Sequence, residues 1–173
     1  MHLIKEITDK TIWEKHIPWL EYKIRKAARA IVTDKNWLIP ILFASKDNYY
    51  KLPWGWIDEW EEIIEWLERE FIEEVWAEVE IEDELGLTIE IKDQHKKIQF
   101  SYIYIWKIKK IVWKPQFTQK EIDDWLELYW MKPKDVLEKI RNTNPSSYVW
   151  KIIRDRDLAI FKYYLVNIEK NNI

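Results

Sequence analysis

Residues 52–61 read Leu52-Pro53-Trp54-Gly55-Trp56-Ile57-Asp58-Glu59-Trp60-Glu61, and residues 69–77 read Arg69-Glu70-Phe71-Ile72-Glu73-Glu74-Val75-Trp76-Ala77. Across this stretch Ile64, Leu67, Phe71 and Val75 recur at helical spacing, which predicts an amphipathic helix over Glu61 to Val75 with one face in the core. Glu70, Glu73 and Glu74 stand at i, i+3 and i+4, so three carboxylates share one side of that helix within reach of a common ion. Their mutual repulsion is relieved only by positive charge among them. Hard oxygen ligands of this kind suit magnesium or manganese rather than zinc or copper. The tight loop around Gly55 would bring backbone groups to the same ion or to a phosphate. Divalent ions held by carboxylates, with positions left open for substrate oxygens and water, are what diphosphate hydrolysis requires.

Outward from this stretch the chain alternates strands and helices. Ala28 to Thr33 and Leu38 to Ala44 are apolar runs joined by Asp34-Lys35-Asn36-Trp37, the signature of a hairpin. Tyr49 to Leu52 reads as a third strand leading into the Pro53 loop. Glu84 to Lys92 reads as one or two strands broken near Gly86, and Ile98 to Ile108, rich in Ile and Tyr, as a long strand. Pro133 opens a helix through Arg141, and a last helix is expected from about Asp155 to Ile168. The sum is an α+β chain with a mixed sheet between helices. At 173 residues, with no linker or repeat, it is expected to form one domain over 1–173 with its core at about 24–168.

Composition narrows the function classes. The chain has no cysteine, which excludes disulfides, zinc–thiolate sites and thiol nucleophiles. Its formal charge is −3 with signs mixed, so nucleic acid is not the expected partner, and no stretch has the length of a membrane span. A cytoplasmic protein is expected. His2, His16 and His95 are isolated and are given no catalytic role.

The 13 Trp and 2 Gly are abnormal against an average in which Gly is about 7 % of residues. The tryptophans stand where glycine belongs: Trp37 follows Asn36 in a turn, Trp54 and Trp56 flank Gly55, and Trp76 closes the glutamate helix. Some bacteria read UGA as glycine, and translating such a gene with UGA as tryptophan would produce this pattern. If every Trp except Trp130 is glycine, the glycine content returns to its usual range.

Residues 55–77 resemble the Nudix box: a glycine, five residues, Glu, seven residues, Arg-Glu, an apolar residue, one residue, Glu-Glu, one residue, glycine and an apolar residue. Gly55, Glu61, Arg69, Glu70, Glu73 and Glu74 all match. Trp76 stands at the closing glycine, and Trp54 and Trp60 replace glycines that usually accompany the box. Weaker resemblance covers most of the chain, from Ala27-Ala28-Arg29-Ala30 to Trp130-Met131.

The resemblance implies an α/β/α sandwich and a set of roles. Glu73 and Glu74 would be metal ligands, with Glu70 a ligand or the base that takes a proton from water. Arg69 would hold the carboxylates and Glu61 support them. The Trp54 carbonyl would help hold the metal, Glu121 is the candidate for a further carboxylate from a late loop, and Gly55 and Tyr102 are the candidate substrate contacts. Tyr102, with Phe100 and Tyr104, is also explained by cross-strand packing. Mg2+ is the implied cofactor, with Mn2+ as substitute, and a homodimer follows by analogy.

Subclasses differ outside the box. The isoprenoid isomerases of this fold use a cysteine, which is absent. ADP-ribose pyrophosphatases usually carry a proline shortly past the box, and here the next after Pro53 is Pro115. NADH pyrophosphatases carry a proline-rich signature that is missing. By exclusion the chain looks MutT-like, cleaving nucleoside triphosphates, 8-oxo-dGTP among them. The alternatives are a nucleotide-sensing module without turnover, or a pyrophosphatase of ADP-ribose, dinucleoside polyphosphates or RNA 5′ ends.

Overall fold

A computed structural model describes residues 1–19, 21–45, 48–52, 54–56, 77–111 and 126–171. Eight strands are formed among them: β1 (Leu3–Ile7), β2 (Lys23–Thr33), β3 (Ile39–Ala44), β4 (Tyr49–Lys51), β5 (Trp54–Trp56), β6 (Ala77–Lys92), β7 (Lys97–Ile111) and β8 (Leu126–Met131). Two α-helices follow, α1 (Pro133–Asn142) and α2 (Tyr148–Asn171). The helix expected over Glu61 to Val75 lies outside the described residues.

The strands make a mixed five-stranded sheet in the order β1-β6-β7-β2-β5 and a three-stranded sheet in the order β4-β3-β8. β6 and β7 form a long antiparallel hairpin, β7 runs parallel to β2, and β1 adds in parallel to β6. Gly86 makes the last contact fit. Its φ is +151°, and a Cβ there would lie 2.8 Å from the His2 carbonyl oxygen and from Ile4 of β1. The expected break near Gly86 is thus a bulge inside a continuous strand, with the register shifting between Glu84 and Gly86.

The hairpin expected between Ala28 to Thr33 and Leu38 to Ala44 is not formed. β2 pairs with β7 along one edge and, at Ala27 to Arg29, with β5 on the other, while β3 pairs with β4 and β8. The connection is still tight: Asp34 accepts from the Asn36 and Leu38 backbone N–H groups, each at 2.8 Å, and its carbonyl accepts from Trp37 N–H at 3.0 Å.

Alternation along β2 and β7 divides the core in two. Ile31 and Ile103 face Ile39, Ile41, Val136, Ile140, Phe161 and Tyr164, so α1 and α2 cover that side. On the other side Ala28, Ala30 and Val32 lie with Tyr104 and the fully buried Trp106, against Leu128 and Trp130 of β8. No described helix is long and apolar enough to cross a membrane.

Among the described residues the non-glycine positions with positive φ are Trp13, Trp37, Asn48 and Lys96. Trp13 (φ 61°) is 95 % exposed and Trp37 (φ 60°) 54 % exposed, so neither ring gains from burial what the left-handed backbone costs. Trp37→Gly is therefore expected to stabilise the chain by about 1 kcal/mol, read as a higher urea midpoint at unchanged slope. A lower midpoint would show that the exposed ring holds the turn.

Candidate functional site

The stretch around Gly55, expected as a tight loop, is a short strand, β5, held in the sheet by pairing with β2. Trp56, Gly55 and Trp54 pair with Ala27, Ala28 and Arg29 of β2, and Ala28 in turn pairs with Tyr102 of β7. Gly55, Ala28 and Tyr102 therefore form one cross-strand row, with Gly55 and Tyr102 two strand spacings apart, about 10 Å. Tyr102 is half-buried and packs against the cluster of Ala28, Ala30, Tyr104 and Trp106. The structure thus brings two of the sequence candidates together. Glu61, Arg69, Glu70, Glu73, Glu74 and Glu121 lie outside the described residues, as do the side chains of Trp54 and Gly55's other neighbour, Trp56. Among the described residues, no three His, Asp or Glu side chains gather where an ion could sit.

Beside Leu52, shortly before β5, lies a buried ionic cluster that the sequence alone did not single out. Leu52 is fully buried, and its N–H donates to Asp157 Oδ2 of α2 at 3.2 Å. Arg156 Nε donates to Asp157 Oδ1 at 2.7 Å, and Arg156 Nη1 lies 3.5 Å from Glu90 Oε1 of β6. That same oxygen accepts from Ser101 Oγ (2.8 Å) and Gln99 Nε2 (3.0 Å) of β7, while Lys92 Nζ sits 2.8 Å from Glu90 Oε2. Arg29, whose backbone pairs with Trp54, belongs to the same field. The signal available in the sequence was a carboxylate between two isoleucines, Ile89-Glu90-Ile91, in a strand whose neighbours are apolar.

The electrostatics follow from burial and crowding. Burial alone would push the Glu90 carboxyl up, but Arg156, Lys92 and Arg29 together outweigh it and hold it down at about 2. Burial, with Arg156 close by, brings the Arg29 guanidinium down to about 9. Because Glu90 is more acidic folded than unfolded, its contribution is complete above its ordinary value near 4.5 and is lost as pH falls from there towards 2. The amount is about 3 kcal/mol. A Glu90→Gln variant should therefore trail the wild type in urea at pH 6 and close the gap as pH drops through that window. A gap independent of pH would overturn the assignment.

The N-terminal segment is tied down by a second buried carboxylate. Asp93 accepts from His16 Nδ1 (2.6 Å), Ile17 N–H (2.7 Å) and Tyr22 OH (2.9 Å). His16 thus has a structural partner.

No family sequence model and no curated protein matches the chain in sequence. Solved structures do match it in shape. A Nudix hydrolase from Nitrosomonas europaea superposes with a TM-score of 0.58 at 12 % identity, covering 78 % of this chain and 90 % of that one. The MutT protein of Methanosarcina mazei Go1 gives 0.57 at 17 % identity, covering 86 % and 99 %. A C. elegans Ap4A hydrolase gives 0.55 at 16 % identity, covering 84 % and 98 %. The mixed sheet and its helices match these proteins in shape: the chain has the Nudix fold.

Proposed function

We propose that this chain is a magnesium-dependent hydrolase, one domain over 1–173, that cleaves the diphosphate linkage of a nucleoside triphosphate or a related nucleotide. The observation that carries the reading is the joint occurrence of the fold with the spacing Gly55, Glu61, Arg69-Glu70, Glu73-Glu74, which begins on β5, the strand pairing with β2. Glu73 and Glu74 would hold the Mg2+ ion, with the Trp54 carbonyl and Glu121 as further donors and Glu70 as a ligand or as the base; Mn2+ has the same preference for oxygen. The ion, when bound, supplies charge neutralisation at the phosphates and a more acidic water. As the base, Glu70 would take the proton from the attacking water; Arg69 and Glu61 would orient the carboxylates, Tyr102 would offer its ring to a base and Gly55 its backbone to a phosphate. A cytoplasmic homodimer is the setting that this reading implies.

The test is hydrolysis with Mg2+ of nucleoside triphosphates, 8-oxo-dGTP, ADP-ribose, dinucleoside polyphosphates and triphosphate-ended RNA, with products separated by chromatography. Monophosphate plus pyrophosphate from a triphosphate establishes the MutT-like reading. Binding without turnover on any of them establishes the sensor in its place.

We also propose that tryptophans in the turns and in the box, Trp13, Trp37, Trp54, Trp56, Trp60 and Trp76, are glycine in the native protein. The left-handed, exposed backbones of Trp13 and Trp37 support this. Trp106 is different in kind, since its ring fills the space beside Ala28 and Ala30 and glycine there would leave a cavity. Intact mass of the protein from its own source decides the matter: a mass matching thirteen tryptophans sinks the proposal.

A further inference from the structure

We propose that the groove between the segment leading into β2 and the β6–β7 turn is a binding site for single-stranded nucleic acid, with Lys23, Lys96 and Lys97 on the phosphates. The inference is independent of the reading of residues 54–74 as a metal site, since none of the residues that carry it belongs to that segment. Lys23 opens β2 and Lys97 opens β7, and the parallel ladder makes them direct partners, about 4.8 Å apart from strand to strand. Lys96 joins them, because its carbonyl accepts the Lys23 N–H at 2.9 Å. All three line a groove of about 810 Å3 together with Tyr22 and His95.

The trio lacks counter-charge. Among the described residues no carboxylate lies within ion-pair distance of Lys23, Lys96 or Lys97, and Glu21, which also lines the groove, pairs with none of them. Asp93 of the same turn is buried, with its oxygens taken by His16, Ile17 and Tyr22. Lys92, their neighbour in the same cross-strand row, is neutralised by Glu90 at 2.8 Å. The other lysine-rich stretch behaves differently: Lys107 pairs with Glu82 and Lys109 with Glu80. Like charges set side by side on neighbouring strands repel, and an anion of several charges relieves them. The field is felt by His95, whose ring is pushed below its ordinary value by burial and then by Lys92 and Lys97, so that it stands neutral in the groove. The formal charge of −3 hides this patch, because only strand pairing brings Lys23 to Lys96 and Lys97.

The kind of anion follows from what stands among the cations. The Tyr22 and His95 rings line the groove beside the lysines, and rings next to cations suit a chain of bases and phosphates: the rings stack on any base while the lysines hold the backbone. Tyr22 is fixed in place, its hydroxyl donating to Asp93 Oδ1 at 2.9 Å. A membrane surface is flat and does not enter a groove. Trp19 lines the groove too, with Lys96 Nζ 3.8 Å from its ring centre, but the ladder that sets Lys23 beside Lys97 does not depend on residue 19.

The test is binding of a fluorescein-labelled oligouridylate of about ten nucleotides to the full chain, read by anisotropy with EDTA present so that no divalent ion takes part. Three phosphate contacts on a single strand give log affinity a slope of about −2 on log salt, a loss of about 20-fold from about 50 to about 200 mM KCl. Lys23→Ala combined with Lys97→Ala should flatten the slope to about −0.7 and weaken binding at least about tenfold at the lower salt. Lys23 is exposed and Lys97 half-buried, and neither has an ion-pair partner to lose, so the double variant should keep its urea midpoint. Lys107→Ala with Lys109→Ala removes the same charge from paired lysines and should leave affinity within about threefold. A wild type that does not bind at the lower salt, a Lys23/Lys97 variant with wild-type affinity and slope, or a control variant that loses as much would overturn the inference. So would inorganic tripolyphosphate that displaces the oligouridylate at an equal concentration of phosphate, since the rings would then contribute nothing.

Discussion

Glu74→Gln is expected to lower Mg2+-dependent turnover by on the order of 10³-fold while leaving nucleotide binding within a few-fold of the wild type. A metal ion supplies several kcal/mol of charge stabilisation in the transition state, and about 4 kcal/mol corresponds to that factor. Glutamine keeps the size of glutamate and removes the charge that a hard cation needs. The same change relieves repulsion among Glu70, Glu73 and Glu74, which stand at i, i+3 and i+4 in the sequence. The metal-free variant should therefore melt no lower than the wild type, and the rise in Tm that Mg2+ gives the wild type should disappear. Turnover retained in full would remove Glu74 from the site. Turnover absent in the wild type itself, with binding intact, would point to the sensor.

Arg156→Met should cost about 3–5 kcal/mol of stability, the usual result of deleting one partner of a buried pair. Asp157 would lose the donor at 2.7 Å and Glu90 the cation at 3.5 Å, while both carboxylates stay in a region that water does not reach. Removing Asp157 as well, by Asp157→Leu, should recover much of the loss, because the remaining Glu90 still has Lys92, Gln99 and Ser101. Urea titration of the single and double variants reads both effects. A single variant as stable as the wild type would mean that Lys92 and Arg29 alone compensate the two carboxylates.

Local patterns were legible in the sequence. The Ile98 to Ile108 run is the centre of β7, Tyr49 to Leu52 contains β4, and Pro133 opens α1 as its fixed φ suits it to do. The last helix begins at Tyr148 rather than Asp155 because the Ser147 hydroxyl takes the Trp150 N–H at 3.3 Å, whereas Tyr-Val-Trp, with its strand preference, disguises the start. Partner choice was not legible. Asp34 to Leu38 has all the chemistry of a hairpin turn, yet β3 pairs with β4 and β8, strands that lie farther along the chain and that no local pattern announces. The same limit applies to the site: carboxylates at i, i+3 and i+4 declare themselves in one dimension, whereas Asp157 and Leu52 meet only because α2 crosses back over β4.

β2 and β7 run side by side in parallel from the pair Lys23 and Lys97 to the pair Thr33 and Lys107. All of the chain between them, the glutamate-rich segment included, is a loop that this pairing closes. Parallel contacts of such separation form late, because the entropy of closing the loop is lost before the contacts return it. The protein should accordingly acquire its secondary structure well before the divalent-ion site proposed for it, and in refolding from urea Mn2+ capture at that site should follow the slowest phase. A chain still emerging during synthesis, with β2 exposed and β7 not yet made, offers an unpaired strand edge over that whole interval, so expression in slow-translating or chaperone-poor conditions should favour aggregation over folding.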